Sequence, residues 1–327
     1  MNAGPPPAPP LVVADALTKH FPLKKGRRVH AVDGVDLVIR EREIVGLVGE
    51  SGSGKTTFGK TMIGLLPKTS GTVRYRGETL PQQYRPADFR RHARTMQMIF
   101  QDPYSSLNPR MTVGEIVGEG LSLHAGLSGG AVRDRVAGWL SRVGLEPDHM
   151  SRYPHEFSGG QRQRIGIARA LILEPEFVVC DEPISALDVS VQAQVVNLLQ
   201  DLQASMGLTL LFIAHDLSMV RTISDRMAVM YLGALVEIGP ADDLFFAPAH
   251  PYTRILIASN PEPDPETERR RVSTTITGEI PSPVDIPAGC RFAGRCPDAM
   301  PRCRVETPEL APLPGQPERQ VACHLYR

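Results

Sequence analysis

One short stretch of the chain combines glycines, a lysine and a threonine at the spacing that binds phosphate. Residues 49–56, GESGSGKT, fit the pattern G-x-x-x-x-G-K-[ST]. Glycine lets backbone N–H groups turn inward around an anion, and a helix that begins at Lys55 points the positive end of its dipole at the same anion. Lys55 would reach the terminal phosphates of a nucleotide, and the Thr56 hydroxyl would bind Mg²⁺. The predicted phosphate-binding residues are Gly49, Glu50, Ser51, Gly52, Ser53, Gly54, Lys55, Thr56 and Thr57.

Two carboxylates stand where a second part of this chemistry would be needed. Asp181 and Glu182 follow an apolar run, residues 177–180, which is predicted to be a buried strand. We expect this strand to lie beside the strand that precedes the phosphate loop, so that Asp181 holds Mg²⁺ through water and Glu182 polarises an attacking water. Two carboxylates at a strand end are common alone, and the phosphate loop makes the hydrolytic interpretation the stronger one.

Short apolar runs alternate with helical patterns through most of the chain. The apolar runs are too short to be lone helices and are therefore predicted to be buried strands. Strands that alternate with helices indicate an α/β domain with a mainly parallel sheet. The predicted strands are residues 43–49, 177–181 and 208–214, and the predicted helices are residues 55–66, 158–173 and 189–206.

The composition of the 327 residues limits the classes of function. Lys and Arg together number 36, as do Asp and Glu, so the formal net charge is zero, which argues against a nucleic-acid-binding protein. No apolar stretch approaches the roughly 18–20 residues of a membrane span, and the Pro-rich start, residues 1–10, lacks a secretory-signal pattern. We therefore expect a cytosolic chain, which a partner must recruit if it acts at a membrane.

Further motifs follow the phosphate loop in a fixed order. Residues 157–161, FSGGQ, open a predicted helix with a hydroxyl and free backbone N–H groups, which suits a second anion site. This stretch resembles the signature motif of the ATP-binding cassette (ABC) ATPases, with Phe157 in place of the usual leucine. The other residues that match this family are Gln101 of the Q-loop, Asp188 of the D-loop stretch SALD, the switch histidine His215, and Phe21, the aromatic residue that stacks on adenine.

The resemblance covers residues 11–247 and implies a fold and an assembly. The fold is α/β, a P-loop NTPase of the ABC type, with a RecA-like parallel-sheet core, an antiparallel β subdomain and a helical subdomain near residues 102–161. Two such domains would face each other head to tail, and each ATP would lie between the phosphate loop of one subunit and the signature motif of the other. Beyond the phosphate loop, the nucleotide-binding residues would be Phe21, Ser158, Gly159, Gly160, Gln161 and Asp188.

Three residues would carry the hydrolytic roles that the resemblance implies. Glu182 would activate the water, and His215 would contact the γ-phosphate and hold Glu182 and the water in place. Gln101 would sense Mg²⁺ and relay the change to the helical subdomain, with Thr56 and Asp181 as the other Mg²⁺ ligands. Phe21 has a second interpretation, as a residue of the core.

Two stretches resemble one branch of this family, the oligopeptide and dipeptide permease ATPases: residues 97–109, QMIFQDPYSSLNP, and residues 249–254, AHPYTR. Residues 110–115, RMTVGE, are more similar to the F-type than to the D-type subunit. The resemblance implies a peripheral protein on the cytoplasmic face of the cell membrane. Its partners would be a second ATPase subunit, sister or identical, two membrane-spanning permease subunits and an external substrate-binding protein. No residue identifies the cargo, so importers of nickel or glycosides, and a soluble non-transport ABC ATPase, remain alternatives.

The sequence beyond the cassette changes in character. Residues 248–279 are rich in proline and charge and are predicted to be a linker, and residues 1–10 are predicted to be a flexible lead-in. Residues 280–327 form a Cys-rich extension with little apolar content. We expect this extension to need a metal or a partner to hold a fixed shape.

Four cysteines of the extension could bind a metal. Cys290, Cys296, Cys303 and Cys323 follow the spacing C-x5-C-x6-C-x19-C, and four thiolates can hold Zn²⁺ or a [4Fe–4S] cluster. The short cysteine pairs typical of structural zinc are missing from this spacing. The resemblance also points to [4Fe–4S] in some family members, so the cluster is favoured over zinc and over free thiols. Cys180 lies in a predicted strand and is expected to be a small core residue.

Overall fold

Two β-sheets and the helices packed on them organise residues 8–259 and 281–327, the part of the chain that this computed structural model describes. The strands are β1 (Pro10–Pro22), β2 (Arg28–Arg40), β3 (Ile44–Val48), β4 (Ser70–Tyr75), β5 (Glu78–Thr79), β6 (Met96–Ile99), β7 (Phe177–Asp181), β8 (Thr209–Ile213), β9 (Arg226–Tyr231), β10 (Ala234–Pro240), β11 (Ala311–Leu313) and β12 (Gln316–Val321). The helices are α1 (Lys55–Met62), α2 (Pro86–His92), α3 (Pro103–Ser106), α4 (Val113–Gly120), α5 (Gly130–Arg142), α6 (Gly159–Leu171), α7 (Val189–Met206), α8 (Leu217–Ile223), α9 (Ala241–Phe246) and α10 (Pro251–Ala258).

The larger sheet has eight strands in the order β11-β12-β10-β9-β3-β8-β7-β6. Its segment from β9 to β6 is parallel, and every residue of β3, β7 and β8 is buried, which explains why these strands are continuous apolar runs. The predicted α/β architecture is therefore confirmed. Strand β7 does not lie beside β3, as we expected from the sequence, because β8 is inserted between them.

Helix α1 is shorter than its sequence pattern predicts. It ends at Met62 instead of residue 66, because Gly64 has a φ of 79° and its N–H bonds back to the Thr61 carbonyl in a turn. The other two predicted helices correspond to α6 and α7, and α7 has the predicted bounds.

The smaller sheet is antiparallel, in the order β2-β1-β4-β5, and forms the expected antiparallel subdomain. Its strand β1 starts at Pro10, one residue inside the predicted lead-in, and residues 1–7 of that lead-in lie outside the described residues. Apolar side chains of β1 and β2 share one core cluster with Phe58 of α1. This packing connects the subdomain to the helix that follows the phosphate loop.

Helices α3, α4 and α5 and two short 3₁₀ turns, Pro147–Ser151 and Pro154–Glu156, fill the span expected for the helical subdomain. Helix α4 begins with a capping box, in which Thr112 and Glu115 each accept the other's backbone N–H. Trp139 of α5 is buried in the same cluster as residues of α6. The subdomain thus packs on the helix that follows the signature motif.

The prediction that residues 248–279 form a linker is wrong for the first part of this range. Residues 251–258 form α10, and its Tyr252 is fully buried against the rings of Tyr231 and Phe292. The proline at the first helical position favours the start of a helix here instead of opposing it. Residues 260–279 of the predicted linker lie outside the described residues.

The C-terminal extension is held by the cassette itself. Strand β12 pairs with β10 and carries Arg319, which binds Glu237 of β10 in an ion pair whose side chains are 4% and 1% exposed. Phe292 is 1% exposed and belongs to the main core cluster. A long-range strand pairing, a buried ion pair and one aromatic anchor thus provide the fixed contacts that we expected a metal or partner to supply.

We expect Phe292→Ala to lower the free energy of unfolding by about 3–4 kcal/mol, because it removes a fully buried ring between two tyrosines. Val305→Ala, at a side chain that is 75% exposed, is the matched control and should change stability by less than about 0.5 kcal/mol. Urea titration of the full chain measures both variants. Equal losses in the two variants would show that the extension is not packed on the core.

Candidate nucleotide site

The phosphate loop joins the end of β3 to the start of α1 and depends on glycine at both ends. Gly49 has a φ of 152° and Gly54 a φ of 106°, a region that other residues adopt only with strain. A side chain at Gly54 would collide with the carbonyl of Ala31, and one at Gly49 with the carbonyl of Met230. The backbone therefore lies directly against the neighbouring strands, and α1 starts with its N–H groups facing the loop.

Lys55 lies inside this loop. Its side chain is buried, and its Nζ donates to the carbonyl oxygens of Gly49, at 2.8 Å, and Glu50, at 3.0 Å. Burial lowers the pKa of Lys55, while the carboxylates of Glu182, Asp181 and Glu50 act in the opposite direction. The ammonium is thus already held where the phosphates of a nucleotide would arrive.

Thr56, in the first turn of the helix that follows β3, contacts Asp181 at the end of β7, although β8 lies between β3 and β7. The Thr56 Oγ1 donates to Asp181 Oδ1 at 2.6 Å, and Asp181 is 2% exposed. Burial raises the pKa of Asp181, and the hydrogen bond from Thr56 and the charges of Lys60 and Lys55 oppose this effect. Mg²⁺ prefers oxygen ligands, and the Thr56 hydroxyl and the Asp181 carboxylate place two such ligands next to the loop. These residues therefore fit that ion.

Glu182 is held in an unusual backbone conformation. Its φ is 43°, its N–H donates to the Ile213 carbonyl, and its own carbonyl accepts from Ser185. A glutamate whose backbone adopts the left-handed conformation is strained, and such strain concentrates at functional positions. Here it turns the carboxylate toward the loop, where the Gln101 Nε2 donates to Glu182 Oε2 at 2.8 Å.

His215 comes close to the same carboxylate. Its Nδ1 lies 3.9 Å from Glu182 Oε2, beyond hydrogen-bonding distance, and its side chain is 64% exposed against 17% for Glu182. His215 immediately follows β8, the strand between β3 and β7, so the sheet order explains the proximity. The exposed ring is free to approach a bound γ-phosphate.

A cavity of about 250 Å³ lies over the loop. It is lined by loop residues, by Gln101 and Glu182, and by Val29, Ala31 and Pro283. Phe21 pairs with Val29 across the β1–β2 ladder, so the two side chains share the cavity's face of the sheet. The Lys19 ammonium lies 4.9 Å from the centre of the Phe21 ring.

The signature residues lie elsewhere. Ser158 caps α6, its Oγ accepting the Gln161 N–H at 3.4 Å, while Gln161 Oε1 accepts the Ser158 N–H at 3.0 Å. None of residues 158–161 is among the described residues that line the cavity. Asp188 is also exposed, and Val189 beside it is 81% exposed. The chain therefore brings the phosphate loop, both carboxylates, Gln101 and His215 together, and presents the signature and D-loop residues on its surface.

The four cysteines of the extension are free thiols that influence one another. Burial raises the pKa of Cys290, with a further contribution from Cys303, and raises that of Cys296 to about 11, with smaller contributions from Cys290 and Cys323. Among the described residues, the one group of three potential metal ligands whose atoms lie within 4.8 Å of one another is His20, His30 and Asp33, so no three of the cysteines meet that closely. Cys180 is fully buried, as predicted.

Three contacts to the site come from residues to which the sequence analysis assigned no role in it. The Tyr252 hydroxyl accepts the Glu50 N–H at 2.8 Å, the Arg295 guanidinium binds the Glu50 carboxylate, and Pro283 lines the cavity. Each lies more than 200 positions from Glu50, so no local pattern identifies it. The family-like stretch AHPYTR, which contains Tyr252, was a sequence signal for one of them.

Within residues 8–259 and 281–327, no helix has the length and apolar character needed to cross a membrane.

Solved structures with this arrangement define the class of protein. A dimeric ATP-binding cassette, MJ0796, in a post-hydrolysis state with ADP and Pi, has a TM-score of 0.65 and 27% identity, covering 71% of this chain and 99% of that one. CbiO1 of Clostridium perfringens, part of the ABC transporter complex cbiONQ, has a TM-score of 0.64 and 26% identity, covering 73% of this chain and 92% of that one.

Two sequence families match the chain. Residues 32–185 match the family described as ABC transporter, and residues 236–303 match the one described as oligopeptide/dipeptide transporter, C-terminal region. The chain belongs to the ATP-binding proteins of ABC transporters, in the oligopeptide/dipeptide transporter family.

Curated relatives match over nearly the whole chain. A putative oligopeptide transport ATP-binding protein of Bacillus subtilis, YkfD, is 56% identical, covering 97% of this chain and 96% of its own length. The oligopeptide transport ATP-binding protein OppF is 54% identical in Salmonella typhimurium and 51% in Escherichia coli, covering 96% of this chain and 95% of each relative. The predicted family is therefore confirmed, and the OppF relatives agree with the F-type prediction.

We expect Glu182→Gln to reduce ATP hydrolysis at least a hundredfold, since an amide cannot accept the proton of the attacking water. Affinity for MgATP should stay close to that of the wild type, because the loop and Lys55 are unchanged. Phosphate release and equilibrium binding of a fluorescent ATP analogue measure the two effects, with the exposed Glu318→Gln as control. Hydrolysis at the wild-type rate would assign the base to another residue.

Proposed function

We propose that this chain is the ATP-hydrolysing subunit of an ABC importer for oligopeptides or dipeptides. The observation that carries the hydrolytic part is that Lys55, Thr56, Glu182 and Gln101 line one cavity, with Asp181 hydrogen-bonded to Thr56. The cargo rests on the relatives, which are named for oligopeptide transport and match this chain from the cassette through the extension.

ATP hydrolysis requires two functions of the site, which are binding of the nucleotide and activation of the attacking water. Backbone N–H groups of residues 49–57 and the Lys55 ammonium bind the β- and γ-phosphates. Thr56 and Asp181, with Gln101, would hold Mg²⁺, and the ion would supply positive charge to balance that of the phosphates. Glu182 accepts a proton from the water, and its strained backbone and the Gln101 hydrogen bond fix the direction of its carboxylate. His215 contacts the γ-phosphate and Glu182 once nucleotide is bound.

A second ATPase subunit, identical or a sister, completes the site. Ser158, Gly159, Gly160 and Gln161 offer N–H groups at the start of α6, on the surface of this chain and outside its own cavity. Head-to-tail pairing brings them to the γ-phosphate bound by the partner, with Asp188 in the interface. ATP then favours the closed pair because it binds that form more tightly than the open one.

The membrane partners dock on the helical subdomain, and the chain is peripheral on the cytoplasmic face of the membrane. A groove of about 600 Å³ between α4 and α5 supports this surface, because it is lined by Met111, Val132, Val136 and Met150 and has charged residues at its rim. Two permease subunits occupy this face, one per ATPase subunit, and an external binding protein delivers the peptide. The zero net charge supports the exclusion of nucleic acid as a partner.

The four thiols of the extension hold a [4Fe–4S] cluster. One zinc ion with four thiolates at about 2.3 Å keeps every pair of sulfur atoms within about 4.6 Å. No three of these described sulfur atoms lie within even the wider limit of 4.8 Å of one another. This arrangement does not match one zinc ion held by four thiolates, and the proposal of a cluster rests on the number and softness of the thiolates. The role of the cluster is structural, because the hydrolytic residues are complete without it.

Uptake of a labelled peptide tests the cargo. Cells that lack this protein should fail to accumulate a labelled tripeptide, and the wild-type gene should restore uptake. Lys55→Ala should not restore it, because the loop loses the charge that binds the phosphates, whereas Lys25→Ala, at the exposed β1–β2 turn, should. Normal peptide uptake in the deletion strain, with a loss of nickel or glycoside uptake instead, would reassign the cargo.

Metal analysis of protein purified without oxygen tests the cluster. We expect a brown protein with close to four irons per chain, and a colourless protein with less than one iron after Cys303→Ser. Cys180→Ser is the control, because this cysteine is buried in β7 of the cassette and has no role in the cluster. One zinc per chain, or no metal, would contradict the cluster and leave the ATPase assignment untouched.

A further inference from the structure

A loop of the extension reaches the phosphate site, and we name residues 290–296 the cysteine loop. Its backbone makes two turns, from the Ala293 N–H to the Cys290 carbonyl at 3.0 Å and from the Arg295 N–H to the Phe292 carbonyl at 2.9 Å. Phe292 anchors it in the core between Tyr231 and Tyr252. The loop is therefore a fixed part of the fold and holds its charged side chains in defined positions.

Arg295 of the cysteine loop binds Glu50 of the phosphate loop through both arms of its guanidinium. Nη1 donates to Oε2 at 2.8 Å and Nη2 to Oε1 at 2.9 Å, and the two side chains are 6% and 18% exposed. The guanidinium also lies 5.8 Å from the Tyr231 ring centre and 5.9 Å from that of Phe292. A bidentate ion pair of this kind fixes the orientation of the Glu50 carboxylate as well as its position, which a lysine could not do.

Glu50 is the second residue of the phosphate loop, and its backbone is held from both sides. Its carbonyl accepts from Lys55 Nζ at 3.0 Å and from the Ser53 N–H at 3.2 Å, and its own N–H donates to the Tyr252 hydroxyl. Its side chain binds Arg295, and Glu50 is not among the described residues that line the cavity. A change at the Glu50 carboxylate would therefore act directly on the backbone that positions Lys55.

The same loop also contacts β2, the strand that contributes Val29 and Ala31 to the lining of the cavity. Arg291 binds the Asp33 carboxylate at 2.6 Å and the Leu232 carbonyl, and Asp33 lies on β2 near Val29 and Ala31, which line the cavity. Burial raises the pKa of Asp33, but hydrogen bonds from Arg291 and His20 lower it overall, so this pair is charged at neutral pH. The cysteine loop thus contacts both the phosphate loop, at Glu50, and β2, at Asp33.

We propose that Arg295 is a positioning residue for ATP binding: it holds Glu50 and thereby fixes the phosphate loop before nucleotide arrives. A loop that is already ordered loses less conformational freedom on binding, so affinity is higher. Arg295 touches neither the nucleotide cavity nor Glu182, so its removal affects binding and leaves the chemical step alone. The inference concerns the ATP site and does not depend on the cargo.

The test uses the full-length chain with Arg295→Gln, Arg295→Lys and Arg302→Gln. Arg302 is the matched control, because it forms an equally bidentate pair with Glu306 in the same extension, at an exposed position. We expect Arg295→Gln to weaken MgATP binding about tenfold, which corresponds to about 1.4 kcal/mol, and to raise KM with kcat within about twofold of wild type. Arg295→Lys should fall between wild type and Arg295→Gln, and Arg302→Gln should bind as wild type does.

A double-mutant cycle with Glu50→Gln tests the route. If Arg295 acts through Glu50, the double variant binds MgATP no more weakly than whichever single variant has the lower affinity. Losses of binding free energy that add up in the double variant would overturn the proposed route. Unchanged affinity in Arg295→Gln, or a fall in kcat at constant affinity, overturns the positioning role. Thermal unfolding of each variant is recorded in parallel, and if Arg295→Gln does not fold, Arg295→Lys decides by the same criteria. The wild type should bind MgATP and Lys55→Ala should not. This pair of results shows independently that the ATP site of the wild type is intact.

Discussion

The hydrogen bond from Thr56 to Asp181 joins the first turn of α1 to the end of β7, across the strand that separates β7 from β3. It fixes the helix that carries Lys55 relative to the strand end that carries Glu182. Gln101, at the end of β6, and His215, at the end of β8, reach the same point because parallel strands present their carboxyl ends along one edge of the sheet. The arrangement of the hydrolytic residues follows from this edge and from one contact across it.

Burial has opposite effects on the charges at this edge. It lowers the pKa of Lys55 and raises that of Asp181, so burial disfavours the charged form of both groups. The carboxylates of Asp181, Glu182 and Glu50 counteract the effect on the lysine. A nucleotide with Mg²⁺ would bring both signs of charge into this space, where the loop residues already place charges of both signs close together.

The sequence was most informative where the signal is local. Apolar runs identified β3, β7 and β8, and spacing alone identified the residues of the phosphate loop, since motif chemistry requires residues at fixed separations. The position of β7 in the sheet was predicted wrongly, because the pairing of β8 between β3 and β7 is decided by contacts between distant segments. For the same reason the contacts of Glu50 with Tyr252 and Arg295 were missed, at separations of 202 and 245 residues. Helix α10 was missed because its proline was interpreted as a linker signal instead of a helix start.

The pairing of β12 with β10 also has a consequence for the solubility of the protein. Strand β10 would be the last strand of the large sheet if the extension were removed, and its backbone groups at Val236 to Ile238 would lose the partners that residues 320–322 now provide. An unpaired, largely buried strand at the side of a sheet is a template for another chain, and proteins normally cover or charge such strands. The extension therefore works as a cover that keeps cassettes from joining strand to strand. A cassette shortened to residues 8–259 would be prone to aggregate even with every nucleotide-binding motif intact.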